Sequence, residues 1–148
     1  MRILFSIALT FMLMQPSLAA YDPTDPRPDL DVIKAQIEAG GASHAITPLR
    51  DWLITEPDDA DALNLLGYAY RKLQQWDESR AYYERALKIA PAHLGALEYM
   101  GELELQTGNP DAARTLLIRL QVACPEGCPE LDDLIEAFKD LGIATGGS

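Results

Sequence analysis

ADALNLLGYAYRKLQQWDESRAYYERALKIAP, residues 60–91, sets Leu63, Leu66, Gly67 and Tyr70 at i, i+3, i+4 and i+7, one face of a helix. Asp58 or Asp59 is suited to cap its start, where a carboxylate also meets the positive end of the helix dipole. A second helix is predicted from about Asp77 to Ile89, with Ser79, Tyr83, Ala86 and Leu87 turned inward and Pro91 as its stop. Stepping outward by 34 residues finds the same plan again. Pro57, Pro91 and Pro125 keep that spacing, as do Ala45, Ser79 and Ala113, and Leu49, Tyr83 and Leu117. Gly67 and Gly101, Leu63 and Leu97, and Leu66 and Met100 agree with them. Ten prolines could give one coincidence of spacing, but not six position classes sharing a period.

The next period predicts a helix from Ala92 to Gln106, closed by Gly108 in the left-handed turn that ends helices, and another from Pro110 or Asp111 to Ala123. Leu131, Leu134, Ile135 and Phe138 carry the apolar stripe into one more helix, from about Pro129 to Leu141. Its other face holds Asp132, Asp133, Glu136, Lys139 and Asp140, as suits a helix covering the end of a stack. Seven helices result, three pairs and a cap. Small residues at Ala45, Gly67, Ser79, Gly101 and Ala113 are expected to let the helices of each pair approach closely. Pro48 falls inside a predicted helix and is expected to shift or bend its start.

These residues resemble the tetratricopeptide repeat. Leu63, Leu66-Gly67, Tyr70, Tyr83, Ala86 and Pro91 match that family's pattern, with Ser79 in place of its first alanine and Trp76 as the aromatic of the turn. In the third period Leu97, Met100-Gly101, Gly108, Ala113 and Pro125 match, while Glu104 replaces the tyrosine. The first period matches mainly through Gly40, Ala45, Leu49 and Pro57, with Gln36 at the tyrosine position and Trp52 where a small residue is usual. The resemblance implies an all-α solenoid of three helix-turn-helix repeats plus a C-terminal capping helix. The repeats fall at about 26–59, 60–93 and 94–127 and the cap at 129–141, within a domain spanning 29–141. A flexible tail is expected at 142–148.

The 148-residue chain carries 12 Lys+Arg against 23 Asp+Glu, a net charge of −11, which disfavours nucleic acid and anionic membrane surfaces as partners. Its 48% apolar content is globular rather than disordered. At the front, Met1-Arg2, the apolar run Ile3–Met14, a break at Gln15-Pro16 and the small residues Ser17 and Ala19 read as a secretory signal peptide over 1–19. The run is too short for a membrane span, so no integral membrane segment is expected after cleavage. An extended Pro/Asp-rich leader, 20–28, follows. The expected location is the periplasm of a bacterium, or otherwise secretion.

The resemblance further implies a non-catalytic scaffold or adaptor in cell-envelope assembly, gripping a peptide, helix or C-terminal tail of another protein along the inner wall formed by the first helix of each pair. The wall positions are Leu30, Lys34 and Ile37, then Asn64, Tyr68, Arg71 and Lys72, then Glu98, Glu102 and Leu105. Lys34, Arg71 and Lys72 are expected to form a basic strip able to hold an acidic segment, unless they are ordinary solvated residues. The basic clamp of some chaperone-binding relatives is absent, since Leu30, Leu65, Gly95 and Tyr99 stand in its place.

Cys124 and Cys128 flank a turn, CPEGC, in which Gly127 and the prolines favour close sulfurs. In an exported protein they read as a structural disulfide. The alternative is a thiol-redox or metal-handling accessory protein, with Cys128 at a helix N-terminus and Cu(I) held by two thiolates, His93 being within conceivable reach. No Ser/His/Asp constellation, HExxH, P-loop or dinucleotide glycine pattern is present, so no enzyme activity and no cofactor are expected.

Overall fold

The computed structural model describes residues 27–145, and the expected signal peptide and most of the leader lie outside them. Seven α-helices are found among the described residues, with no strand: α1 (Leu30–Gln36), α2 (Ala42–Thr55), α3 (Ala60–Lys72), α4 (Trp76–Ile89), α5 (Leu94–Gln106), α6 (Pro110–Ala123) and α7 (Pro129–Asp140). A wide π turn, Ile37–Gly41, links α1 to α2. The second helices start at Ala42, Trp76 and Pro110 and end at Thr55, Ile89 and Ala123, so each is displaced by one 34-residue period from the last.

Local chemistry sets the ends. Asp59 caps α3 by accepting from the Ala62 N–H at 3.0 Å, while its other oxygen accepts from Trp52 Nε1 at 2.8 Å. One carboxylate thereby fixes a helix start and ties the first repeat to the second, which explains the tryptophan at a position where small residues are usual. His93 caps α5 through Nδ1, which accepts from the Ala96 N–H at 3.2 Å. Pro110 and Pro129 open α6 and α7, where a missing N–H costs nothing.

Pro48 falls inside α2, as expected, but six residues past its start, which is set instead by Gly40, whose φ is +91°. Pro48 is exposed, so solvent can reach the carbonyl that loses its partner.

The helices stack in order, α3 against α2 and α4, and α5 against α4, α6 and α7. Two apolar clusters result. One gathers Ile33, Ile37, Leu49, Leu65 and Leu66 from α1–α3; the other gathers Leu63, Leu97, Leu117, Leu120, Leu134 and Phe138 from α3–α7. Leu53 and Tyr82 pack against both. At the α3–α4 crossing a Cβ on Gly67 would stand 2.5 Å from the buried Tyr83 ring, and Ser79 Oγ donates to the Gly67 carbonyl at 2.8 Å. Gly101 differs from its expected role: its tight neighbour is Leu134 of α7, 2.7 Å from a built Cβ, and not a residue of its hairpin partner α6. The glycine seats the cap.

Glu104, at the tyrosine position, is buried and held by Arg80, whose Nε and Nη2 donate to its two oxygens at 2.9 and 3.1 Å, and by Asn109 Nδ2 at 3.0 Å. A paired carboxylate thus replaces a ring. The segment expected as a free tail from 142 begins fastened. Ile143 N–H donates to the Phe138 carbonyl at 2.9 Å, and Arg114 Nε to the Ala144 carbonyl at 3.0 Å.

Candidate functional site

A groove of about 780 Å³ runs across the first helices. Leu30, Asp31 and Lys34 of α1 line it, with Asp61, Asn64 and Leu65 of α3, Gly95, Glu98 and Tyr99 of α5, and Pro129, Glu130 and Asp133 of α7. Arg27, Pro28, Asp29 and His93 form its rim. The cap helix therefore acts as a fourth first helix and completes the wall.

Two polar residues in this wall are almost withdrawn from solvent. Asn64 is 6% exposed, and its Oδ1 has no hydrogen-bond partner. It fits because Gly95 lacks a side chain: a Cβ there would come within 3.0 Å of Asn64 Nδ2. Glu98, one period on from Asn64, is also 6% exposed. Burial pushes its carboxyl up to about 8; Glu102, Asp133 and Glu130 add to the rise and Arg71 opposes it.

Beside these, the Tyr68 and Tyr99 rings stack with centroids 4.7 Å apart. The Arg71 guanidinium lies 5.3 and 5.5 Å from their centres and pairs with Glu102. Burial raises the Tyr99 phenol well above its ordinary value, and the neighbouring Glu98 raises it further.

The wall residues expected from sequence separate into four groups. Lys34, Asn64 and Glu98 line the groove, as does Leu30. Tyr68, Arg71 and Glu102 form the stacked, ion-paired network just described, and Ile37 and Leu105 are core. Lys72 lies outside the groove, its Nζ 5.8 Å from the Tyr68 ring centre, in a second depression with Arg71, Gln74, Trp76 and Gln106. The expected basic strip does not form. Arg71 is 8% exposed and neutralised by Glu102, and Lys34 pairs with Glu38 at 3.6 Å. Sequence reasoning missed Asp61, Tyr99, Glu130 and Asp133 as wall residues. The period held the signal for two of them, since Leu65, Tyr99 and Asp133 are spaced by 34.

Cys124 and Cys128 form a disulfide, and both pack against the larger apolar cluster. His93 has both ring nitrogens engaged, Nδ1 by the Ala96 N–H and Nε2 by Asp61 Oδ1 at 3.0 Å. No helix among the described residues is long and apolar enough to cross a membrane.

Residues 60–93 match the family model for the tetratricopeptide repeat. The crystal structure of MamA is similar to this chain with a TM-score of 0.65 and 19% identity, over 82% of this chain and 71% of MamA. A MamA RS-1 ArsTM double mutant is similar with a TM-score of 0.58 and 20% identity, over 76% of this chain and 65% of its own. No curated protein matches the sequence. The chain thus carries a tetratricopeptide repeat at 60–93, sets its helical pairs in 34-residue register and shares the all-helical fold of MamA.

Proposed function

We propose that this chain is a non-catalytic scaffold that grips a peptide, helix or tail of another protein in the groove between α1, α3, α5 and α7. One observation carries the reading: four successive first helices converge on a single groove whose wall holds a buried amide oxygen without a partner. Buried polar groups are destabilising until bonded, so a wall of this kind favours a ligand that brings hydrogen bonds. The tetratricopeptide fold supports protein binding as the general task. The signal-peptide pattern of 1–19 and the closed cysteine pair support work in an oxidising compartment, and we assign the protein to cell-envelope assembly in the periplasm.

The test places a photo-crosslinking amino acid at Lys34 or Asp61 in the groove and, separately, at Ile118 on the exposed side of α6, in cells expressing the chain. Capture of one defined protein from the groove positions and not from Ile118 is expected. Equal capture from both sides, or none from the groove, overturns the proposal. Fractionation with N-terminal sequencing checks export: a mature start at Ala20 in the periplasm is expected, and an intact Met1 in the cytoplasm refutes it.

A further inference from the structure

Resting on the groove reading above, we infer that the segment held there presents a lysine or arginine side chain to Glu98, with Asn64, Glu130 and Asp133 around it. Wall and rim together carry six carboxylates, Asp29, Asp31, Asp61, Glu98, Glu130 and Asp133. The chain's own basic side chains there face carboxylates other than Glu98, Glu130 and Asp133. Lys34 pairs with Glu38, and His93 with Asp61. Arg27 lies 3.9 and 3.7 Å from Asp59 and Asp61. Beside the groove, Arg71 pairs with Glu102. Among the described residues, Glu98, Glu130 and Asp133 have neither an ion pair nor a side-chain hydrogen bond, which leaves the α5–α7 side of the groove without a paired cation.

Asn64 is the independent observation. Its Oδ1 is a buried acceptor in the same wall with nothing donating to it. An unpartnered amide oxygen beside carboxylates calls for a group that donates several hydrogen bonds and carries positive charge. An ammonium offers three donors and a guanidinium five, and neither an acidic nor an apolar side chain offers what the wall lacks. A bare metal ion fits less well, because no three His, Cys, Asp or Glu side chains among the described residues are gathered to hold one.

Occupancy has a chemical signature. With burial, Glu102, Asp133 and Glu130 all favouring the acid form, the empty site holds a proton on Glu98 at pH 7. The charged groups facing Glu98 are those of α5 (Glu102), α7 (Glu130, Asp133) and α3 (Asp61, Arg71), with Asp29, Asp31, Lys34 and Arg27 across the groove and His93 at its rim. Tyr68 and Tyr99 stay neutral phenols at this pH. An entering ammonium replaces that proton as the neutralising charge, and the proton passes to buffer. About 0.9 proton per peptide is the ceiling for a group of this acidity at pH 7.

The experiment titrates the ¹⁵N-labelled chain with three degenerate pools of twelve-residue peptides of net charge +4, 0 and −4, followed by NMR and by calorimetry in buffers of different ionisation enthalpy. The expected result is that the cationic pool shifts amides in 61–65, 95–99 and 129–134, binds at least tenfold tighter than the neutral pool, and releases protons. Glu98→Gln, which should fold at least as stably, should weaken this binding about tenfold and abolish proton release. Asp133→Asn should weaken it several-fold, and Lys72→Gln should leave it within twofold. Equal binding of all three pools within the groove overturns the charge inference while the groove reading stands. If no pool shifts groove amides, both fail.

Discussion

Gln74 is the only described non-glycine residue in the left-handed region, with φ +59°. Adding or subtracting 34 lands on Gly40, Gly108 and Gly142, all with positive φ, so each first helix is followed by a left-handed residue at the same period position and one of the four is a side chain that disfavours it. Gln74→Gly should therefore stabilise the protein by about 0.5–1 kcal/mol, the relieved strain being partly offset by the greater freedom of glycine in the unfolded chain. A urea midpoint raised at constant slope checks this, and an unchanged or lowered midpoint rejects it. Glu98 gives a second residue-scale prediction. Its acidity is lowered only in the folded state, so as pH rises from about 4.5 to about 8 the unfolded chain releases a proton that the native chain retains. Stability is thus fully present below that window and declines through it. The linked loss is on the order of 3–5 kcal/mol by pH 8.5. Glu98→Gln should remove it, leaving the melting temperature higher than wild type at pH 8.5 and nearly equal at pH 4.5. A constant difference across that range would mean that Glu98 titrates normally.

At the scale of the helix pair, the sequence carried most of the architecture because the period is written in residues that have no alternative use. A proline after each second helix and small residues at the crossings are backbone demands, and backbone demands repeat without regard to what the surface does. The register of α2, α4 and α6 was legible for that reason. The partners of the small residues were not, since a glycine announces a close approach without saying what approaches. Gly67 meets a rigid, fully buried Tyr83 ring, whereas Gly101 meets the methyl groups of Leu134 on the terminal helix. Alanine at either gains about 1 kcal/mol of helix propensity, but at Gly101 the added methyl meets the ends of a flexible side chain, buried though it is, and at Gly67 a planar ring. Gly67→Ala should cost about 2–3 kcal/mol, and Gly101→Ala under 1 kcal/mol. Chemical denaturation of both variants checks the order, and equal losses would mean that the two crossings are equally rigid. The groove was half legible. Helical spacing put Lys34, Asn64 and Glu98 among the residues that line the groove, but charge pairing is a three-dimensional property: nothing in the sequence spacing forced the Arg71 side chain onto Glu102 and the two tyrosine rings.

Across the whole molecule, stability runs along the stack through neighbouring contacts rather than through one central core, as the two apolar clusters joined at Leu53 and Tyr82 indicate. Two guanidinium links repeat the pattern, Arg85 donating to the Pro57 carbonyl at 3.4 Å and Arg119 to the Pro91 carbonyl at 2.9 Å, each joining a second helix to the turn before its own repeat. In such a stack the ends open first. At the C-terminal end α7 buries Leu134 and Phe138 and supplies the acidic side of the groove, and its first turn follows the disulfide directly. That small covalent loop restricts the unfolded chain by about 2 kcal/mol. Reducing it should therefore raise amide exchange in 129–140 by roughly 30-fold, the factor that energy implies, while exchange in α3 and α4 stays within a few-fold, because neither helix touches α7 in the stack. Exchange mass spectrometry with and without reductant, repeated on the Cys124→Ser/Cys128→Ser double variant, measures both. A uniform rise across all seven helices would show instead that the stack unfolds as one unit, and that loss of the terminal helix is felt as far away as α1.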